Sequence, residues 1–171
     1  MDTRVIERMT DPSNALQSFQ KEYRRCNIKL QRGALDPDLY VYVDKLDGET
    51  RFTYVKLEGK TVTAFVNFAL VDPIEGLPCL SIGYAVPPAY RNQGRAKEAV
   101  RAALAEMQHG LGRRVNKPFY IEAIVGADNK SSQRIAGLLI SDKPVAVTDQ
   151  ISGLPAFQYV RKIEPPTAKG F

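Results

Sequence analysis

From Leu39 onward, apolar and polar positions alternate with a period of two, first over Leu39–Lys45 and again over Arg51–Leu57. β-Branched and aromatic residues predominate in both, so both are predicted strands. The turn Glu58-Gly59-Lys60 leads into the run Thr61–Leu70 and predicts a hairpin with a long second arm, the start of an antiparallel meander. The next strand, Leu80–Val86, puts Leu80, Ile82, Tyr84 and Val86 on one face and Ser81, Gly83 and Ala85 on the other. A face of small residues admits close approach, by a ligand or by a packed helix. Helical spacing occurs earlier and later. Asp11-Pro12-Ser13 supplies a cap and a helix-starting proline, and Leu16, Phe19, Tyr23, Cys26 and Leu30 recur at helical intervals, predicting one long or two short helices over 14–31. Ala96, Ala99, Val100, Ala103, Leu104 and Met107 form an unbroken amphipathic stripe that is expected to stop at Gly110 or Gly112. Phe119–Val125 is a further strand, Asp128-Asn129-Lys130-Ser131 a cap, Ser132–Ile140 a short helix, and Val145–Thr148 and Ala156–Ile163 the closing strands. Asp2–Met9 alternates loosely as a first short strand, and 165–171 is expected to be a flexible tail.

These elements describe one α/β (α+β) domain over 1–164, which suits a chain of 171 residues with 44% hydrophobic and 25% charged positions. A chain of this length buries on the order of 70% of its unfolded surface, so its core needs neither disulfide nor metal. No run nears the ~18 apolar residues of a membrane span, and the polar start Met-Asp-Thr-Arg-Val-Ile-Glu-Arg does not read as a secretory signal, so a cytoplasmic protein without a membrane partner is expected. Cys26 and Cys79 have no metal-ligand spacing, and the single histidine, His109, reads as a solvated or capping residue near a helix end.

Charge is distributed unevenly. Ala89–Lys117 carries Arg91, Arg95, Lys97, Arg101, Arg113, Arg114 and Lys117 against Glu98 and Glu106, an excess of five that accounts for the whole net charge of +5. This fits one anionic small molecule better than nucleic acid, which would recruit several elements, and a nucleic-acid partner is not expected. The strand, glycine-containing turn and helix over Leu80–Met107 describe such an anion site. Helix-starting N–H groups lack intrahelical partners, Gly94 and Ala96 allow close approach, and Arg91 and Arg95 offer charge-assisted donors. The plainer alternative is a βα turn with glycine for conformation only. Neither the G-x-x-x-x-G-K-[ST] loop nor the G-x-G-x-x-G fingerprint is present.

The segment Ile82-Gly83-Tyr84-Ala85-Val86-Pro87-Pro88-Ala89-Tyr90-Arg91-Asn92-Gln93-Gly94-Arg95-Ala96 resembles the acetyl-CoA-binding motif of GCN5-related N-acetyltransferases. Its last six residues match every fixed position of that family's pyrophosphate loop, Gln/Arg-x-x-Gly-x-Gly/Ala. The run from Tyr120 to Ser132 resembles the family's next strand, Asn-x-x-Ser turn and helix, 34 residues on from Gly94 to Asp128. The resemblance is good over about 60–140 and topological at the ends. It implies a mixed, mostly antiparallel sheet flanked by helices and splayed between its fourth and fifth strands. Acetyl-CoA would lie in the opening as co-substrate and pass its acetyl group directly to an amine, with no metal. Carried over by position, backbone at Tyr84, Ala85 and Val86 would pair with the pantetheine arm. Arg91, Asn92, Gln93, Gly94, Arg95 and Ala96 would hold the pyrophosphate, and Asn129 and Ser132 would line the far wall. Homodimerisation through late strands is a further implied partnership.

Catalysis needs a base for the amine and an acid for the thiolate. A carboxylate inside an apolar strand is costly unless paired or used, which nominates Glu122 as the base, with a strand-edge salt bridge as the alternative. The family's frequent acid, a tyrosine seven residues after the asparagine, is here Ala136, and its Lys-x-Gly-Phe ending is replaced around Gly137 and Ser141-Asp142-Lys143-Pro144. Tyr159, Tyr84 and Ser132 are substitutes for the acid. The missing tyrosine also motivates a second reading, a non-catalytic acyl-CoA-binding regulatory module. No motif identifies the acceptor. Phe19, Tyr23, Tyr40, Tyr42 and Tyr54 are candidates for its cleft, although aromatic residues at these periods also build cores.

Overall fold

A computed structural model describes residues 11–167. The segment expected as a first strand, Asp2–Met9, lies outside the described residues. In chain order the elements are α1 (Pro12–Arg24), β1 (Gln31–Arg32), β2 (Leu39–Leu46), β3 (Glu49–Glu58), β4 (Thr61–Ile74), β5 (Leu77–Ala85), α2 (Arg95–Met107), a single wide turn Gln108–Gly112, α3 (Arg113–Val115), β6 (Phe119–Gly126), α4 (Lys130–Leu139), β7 (Val145–Thr148) and β8 (Pro155–Ile163).

The strands form one sheet in the order β1-β2-β3-β4-β5-β6-β8-β7. Neighbours are antiparallel except β5 and β6, which are joined through α2 and run parallel. Two-residue turns, Asp47-Gly48, Gly59-Lys60 and Glu75-Gly76, close three hairpins. Asp47-Gly48 and Glu75-Gly76 each hold two consecutive residues at positive φ, the geometry that matches strand twist. The last of these turns extends β4 and β5 beyond the ends their alternation indicates, because the irregularity between Val71 and Ile74 breaks the period without ending the pairing.

Two apolar layers sandwich the sheet. On one face Leu39, Val66, Phe68, Leu80 and Ile121 pack against Val100, Ala103 and Met107 of α2 and Ala136 of α4. On the other, Val55, Val62 and Phe65 pack against Leu16 and Phe19 of α1. Tyr54 lies in the first layer and Phe19 in the second, with Tyr23, Tyr40 and Tyr42 half-buried against it.

Two helix ends differ from the periodicity. α1 ends at Arg24, and Cys26 at φ +62 turns the chain, so Cys26 is exposed while Leu30 still packs against the α1 layer from an extended segment. The long helix does not stop at its glycines but continues through the wide turn and α3 to Asn116 at φ +50. Gly112 meets Pro165 and Pro166 there, which makes it a packing position.

Glu106 sits in the α2 stripe, 6% exposed. Its carboxylate accepts from Ala34 N (3.0 Å), Leu35 N (2.6 Å) and Asp36 N (2.9 Å), so it fastens the β1–β2 loop to the helix. Gly33 is required beside it, since a Cβ would lie 2.7 Å from Asp36 O and 2.8 Å from Glu106 Oε1. Glu106→Ala is expected to cost about 2–4 kcal/mol by leaving these N–H groups unsatisfied. For a domain of this size that is a fall of roughly 5–15 °C in Tm, measurable by calorimetry.

Candidate active site

β5 and β6 pair over three positions only, Cys79–Ser81 with Tyr120–Glu122. Both strands continue, β5 to Ala85 and β6 to Gly126, without further pairing to each other. A wedge therefore opens between them from the Ser81–Glu122 pair toward the C-terminal ends. The resemblance implies a splay between the fourth and fifth strands, and the wedge falls between the fifth and sixth of the described strands. Along this wedge the outer edge of Ile82–Ala85 offers free backbone groups, the kind an extended ligand can pair with.

The turn at the mouth of the wedge has two left-handed residues, Asn92 (φ +61) and Gly94 (φ +73). Gly94 is the N-cap of α2, and no side chain caps the helix, so its first N–H groups point out with their partial positive charge. A Cβ on Gly94 would meet no protein atom within 4 Å, so the space above it is open to a ligand. Arg91 Nε donates to Val86 O (3.0 Å), tying the turn to the end of β5. Arg95 is held on three sides. It donates to Gln93 Oε1 (3.0 Å) and Glu58 Oε1 (2.9 Å), and its guanidinium lies 4.9 Å from the Tyr90 ring centroid. The basic excess is less concentrated than its position in the sequence suggests. Arg113, Arg114 and Lys117 follow the far end of the long helix, about 27 Å from Arg95 at 1.5 Å per residue.

Tyr84 points to the α2 side of the sheet, and its hydroxyl donates to Ser132 O in the first turn of α4 (2.8 Å), spanning the wedge on that side. Burial first, and the neighbouring Tyr159 second, hold its phenol well above the ordinary value. Asn129 is the N-cap of α4: its side-chain oxygen accepts from Ser132 N (3.2 Å). The opposite, small face of β5 has a packing explanation, since a Cβ on Gly83 would lie 2.6 Å from Asn67 Oδ1 and 3.1 Å from Pro12 Cγ of α1.

Glu122 stands at the vertex on the α1 side, the face it shares with Ser81, and accepts from Gln158 Nε2 (2.5 Å). No ion pair engages it among the described residues. Tyr159, paired in register with the adjacent Ala123, occupies the opposite face in the main core, and burial raises its phenol above the ordinary value. Acid and base candidates thus flank the vertex from the two faces of the sheet. Ala136, where the family's frequent tyrosine would stand, is fully buried in the layer that α2 and α4 pack on the sheet.

Cys79 lies beside this vertex, 0% exposed, its thiol pushed up to about 11 by burial and by the Glu122 carboxylate. A thiol so shifted is protonated at neutral pH and gains reactivity only as pH climbs toward that value. Titration of the native protein with a chromogenic disulfide at pH 8 is expected to count one thiol, the exposed Cys26. Denaturation should then reveal the second.

The sequence pattern did not single out Glu58 as a contact of the loop. It is 37 residues from Arg95, and only the hairpin that ends β3 brings it there. Glu106 carried a local signal, as a lone acid spaced three residues beyond Ala103 on the apolar stripe. No described helix is long and apolar enough to cross a membrane. Among the described residues no group of three or more His, Cys, Asp and Glu side chains is placed to hold a metal ion.

Residues 9–139 match the family model described as an acetyltransferase (GNAT) domain. No curated protein sequence matches the chain. Among solved structures, a GNAT-family acetyltransferase from Streptococcus pneumoniae is 12% identical, with a TM-score of 0.52, over 90% of this chain and 96% of its own. The putative acetyltransferase yncA from Salmonella typhimurium, solved with acetyl-CoA, is 16% identical, with a TM-score of 0.50, over 70% and 69%. RimL, a ribosomal L7/L12 α-N-protein acetyltransferase solved with coenzyme A, is 18% identical, with a TM-score of 0.48, over 68% and 64%. The chain thus spans just under two thirds of the length of that last structure.

Proposed function

The chain belongs to the family of GNAT acetyltransferases, and from that premise we propose that it moves the acetyl group of acetyl-CoA onto an amine by direct transfer. The observation that carries this reading is the wedge between β5 and β6, with an uncapped helix N-terminus at its mouth and Glu122 at its vertex. These features fit the co-substrate. Backbone N–H groups of 91–96 would hold its diphosphate, Gly94 leaving room for close approach, and the free edge of Tyr84–Val86 would pair with the pantetheine amides. Bound there, the co-substrate would supply an activated acyl group.

Glu122 takes the proton of the amine, which approaches from the α1 face, as nitrogen forms its bond to the acetyl carbon. Tyr159 gives its phenolic proton to the sulfur as the carbon–sulfur bond breaks, from the α2 and α4 face. That phenol, like any tyrosine's, holds its proton at neutral pH, and burial shifts it further toward the protonated form. Tyr84, engaged with Ser132, positions the first turn of α4 along the wedge wall. The runner-up, an acyl-CoA-binding module without turnover, is favoured by the single observation that Ala136 carries no hydroxyl.

Thermal unfolding with acetyl-CoA tests the reading. At 100 times its dissociation constant the ligand adds about 2.7 kcal/mol, so Tm is expected to rise by roughly 5–10 °C. No shift at millimolar acetyl-CoA would refute it. Release of free thiol in the presence of a panel of peptide and small-molecule amines then separates the enzyme from the binding module.

A further inference from the structure

Resting on that reading, we infer that Gln158 of β8 is a positioning residue for the transfer, holding the Glu122 carboxylate by one oxygen and leaving the other to the amine. The register of the sheet puts it within reach. Gln158 pairs with Ile124 of β6, two residues beyond Glu122 on the same face, so the two side chains are diagonal neighbours across antiparallel strands. Such neighbours lie about 7–8 Å apart at their Cα atoms, a gap that two long side chains close. Here they meet, with Gln158 Nε2 donating to Glu122 Oε1 at 2.5 Å. Strands on both sides fix the backbone of Gln158, since it also pairs with Val145 of β7. Ile124 and Val145 carry no polar side-chain group that would draw the amide away.

The choice of partner carries the inference. Val160, directly opposite Glu122, is apolar, and the two diagonal neighbours of Glu122 on β8 are Gln158 and Lys162. The sheet thus offers the carboxylate a neutral donor on one side and a cation on the other, and it takes the neutral one. Among the described residues Glu122 forms no ion pair, and Gln158 is its one hydrogen-bond donor. A cation would hold the carboxylate as firmly, but it would offset the negative charge that draws a proton. An amide orients the group and leaves its charge in place. Orientation matters because a glutamate side chain turns about three bonds, while proton transfer needs its oxygen within hydrogen-bond reach of the nitrogen as the new bond forms. One N–H occupies a single acceptor position on Oε1, so Oε2 stays open to receive the proton that the amine gives up. A bond that only joined β6 to β8 would serve the fold alike whether Glu122 reacts or not, and kinetics separates the two roles.

Steady-state kinetics of the full chain, with acetyl-CoA and the most active amine of the acceptor panel, decides the matter. Gln158→Met keeps the length of the side chain and removes the donor. It is expected to lower kcat roughly ten- to a hundredfold, the worth of one hydrogen bond to a charged group, while KM for acetyl-CoA and Tm stay near wild type. Gln158→Glu, isosteric and also without the donor, should show at least the same loss, so the test does not hang on the folding of one variant. Gln158→His, whose Nε2 can take the place of the amide nitrogen, should recover most of the rate. Added to Glu122→Gln, the Gln158→Met change should cost nothing further in kcat, because a positioning residue has no effect once the group it positions no longer accepts the proton. Wild-type kcat in both Gln158→Met and Gln158→Glu, or losses that simply multiply in the double variant, would overturn the inference and leave Glu122 its role. Wild-type kcat in Glu122→Gln would instead remove the base itself, and with it the reading on which Gln158 depends.

Discussion

Glu122→Gln is expected to lower kcat by roughly 10²- to 10⁴-fold, the usual contribution of a positioned general base. KM for acetyl-CoA and Tm should stay close to wild type. The isosteric amide retains an oxygen to accept from Gln158 Nε2, so the strand contact survives and only the proton acceptor is lost. This separates catalysis from structure, because a strand-edge carboxylate serving only Gln158 would leave kcat unmoved. Tyr159→Phe is the companion. It removes the phenolic proton opposite the vertex but keeps the ring in the core, and a comparable fall in kcat is expected. Steady-state kinetics with saturating amine checks both, and near-wild-type rates in both variants would place the acid and the base on other residues.

Gly94→Glu is expected to abolish the thermal shift with acetyl-CoA and reduce kcat/KM below detection. Two effects act together. At φ +73 any side chain strains the turn that presents the α2 N–H groups. The open space above the Cα would also be filled by a carboxylate, which repels a diphosphate at close range. Gly94→Ala distinguishes the two, since a methyl meets no protein atom and carries no charge. It should leave a weakened but measurable shift. An undiminished shift in Gly94→Glu would place the diphosphate elsewhere on the chain.

Much of this was legible along the chain. The period of two from Leu39 and the unbroken α2 stripe predict their elements because each buries one face, and burial is written locally as periodicity. The turn before α2 was legible for the same reason: positive φ and a helix start are properties of a few adjacent residues, and Gly94 advertises both. Where local signals competed, the outcome turned on contacts distant in sequence. Leu30 keeps helical phase with α1 yet packs from an extended segment, because the turn at Cys26 carries it to the same apolar layer by another route. Gly110 and Gly112 carry stop signals, but the helix runs on to Asn116.

The sequence by itself determined the meander, the α2 helix and the glycine turn before it, since spacing and backbone conformation are local properties. It also nominated Glu122, because an acid within an apolar strand stands out in one dimension. Tertiary structure alone decided what those residues face. Pairing of β5 with β6 ends at Ser81 and Glu122, which sets a carboxylate on one face of the vertex and Tyr159 on the other. Only the hairpin end of β3 carries Glu58 to Arg95, and only the pairing of β6 with β8 sets Gln158 diagonally across from Glu122. Such juxtapositions join residues tens of positions apart through strand register, and register is a property of the assembled sheet that no single segment contains.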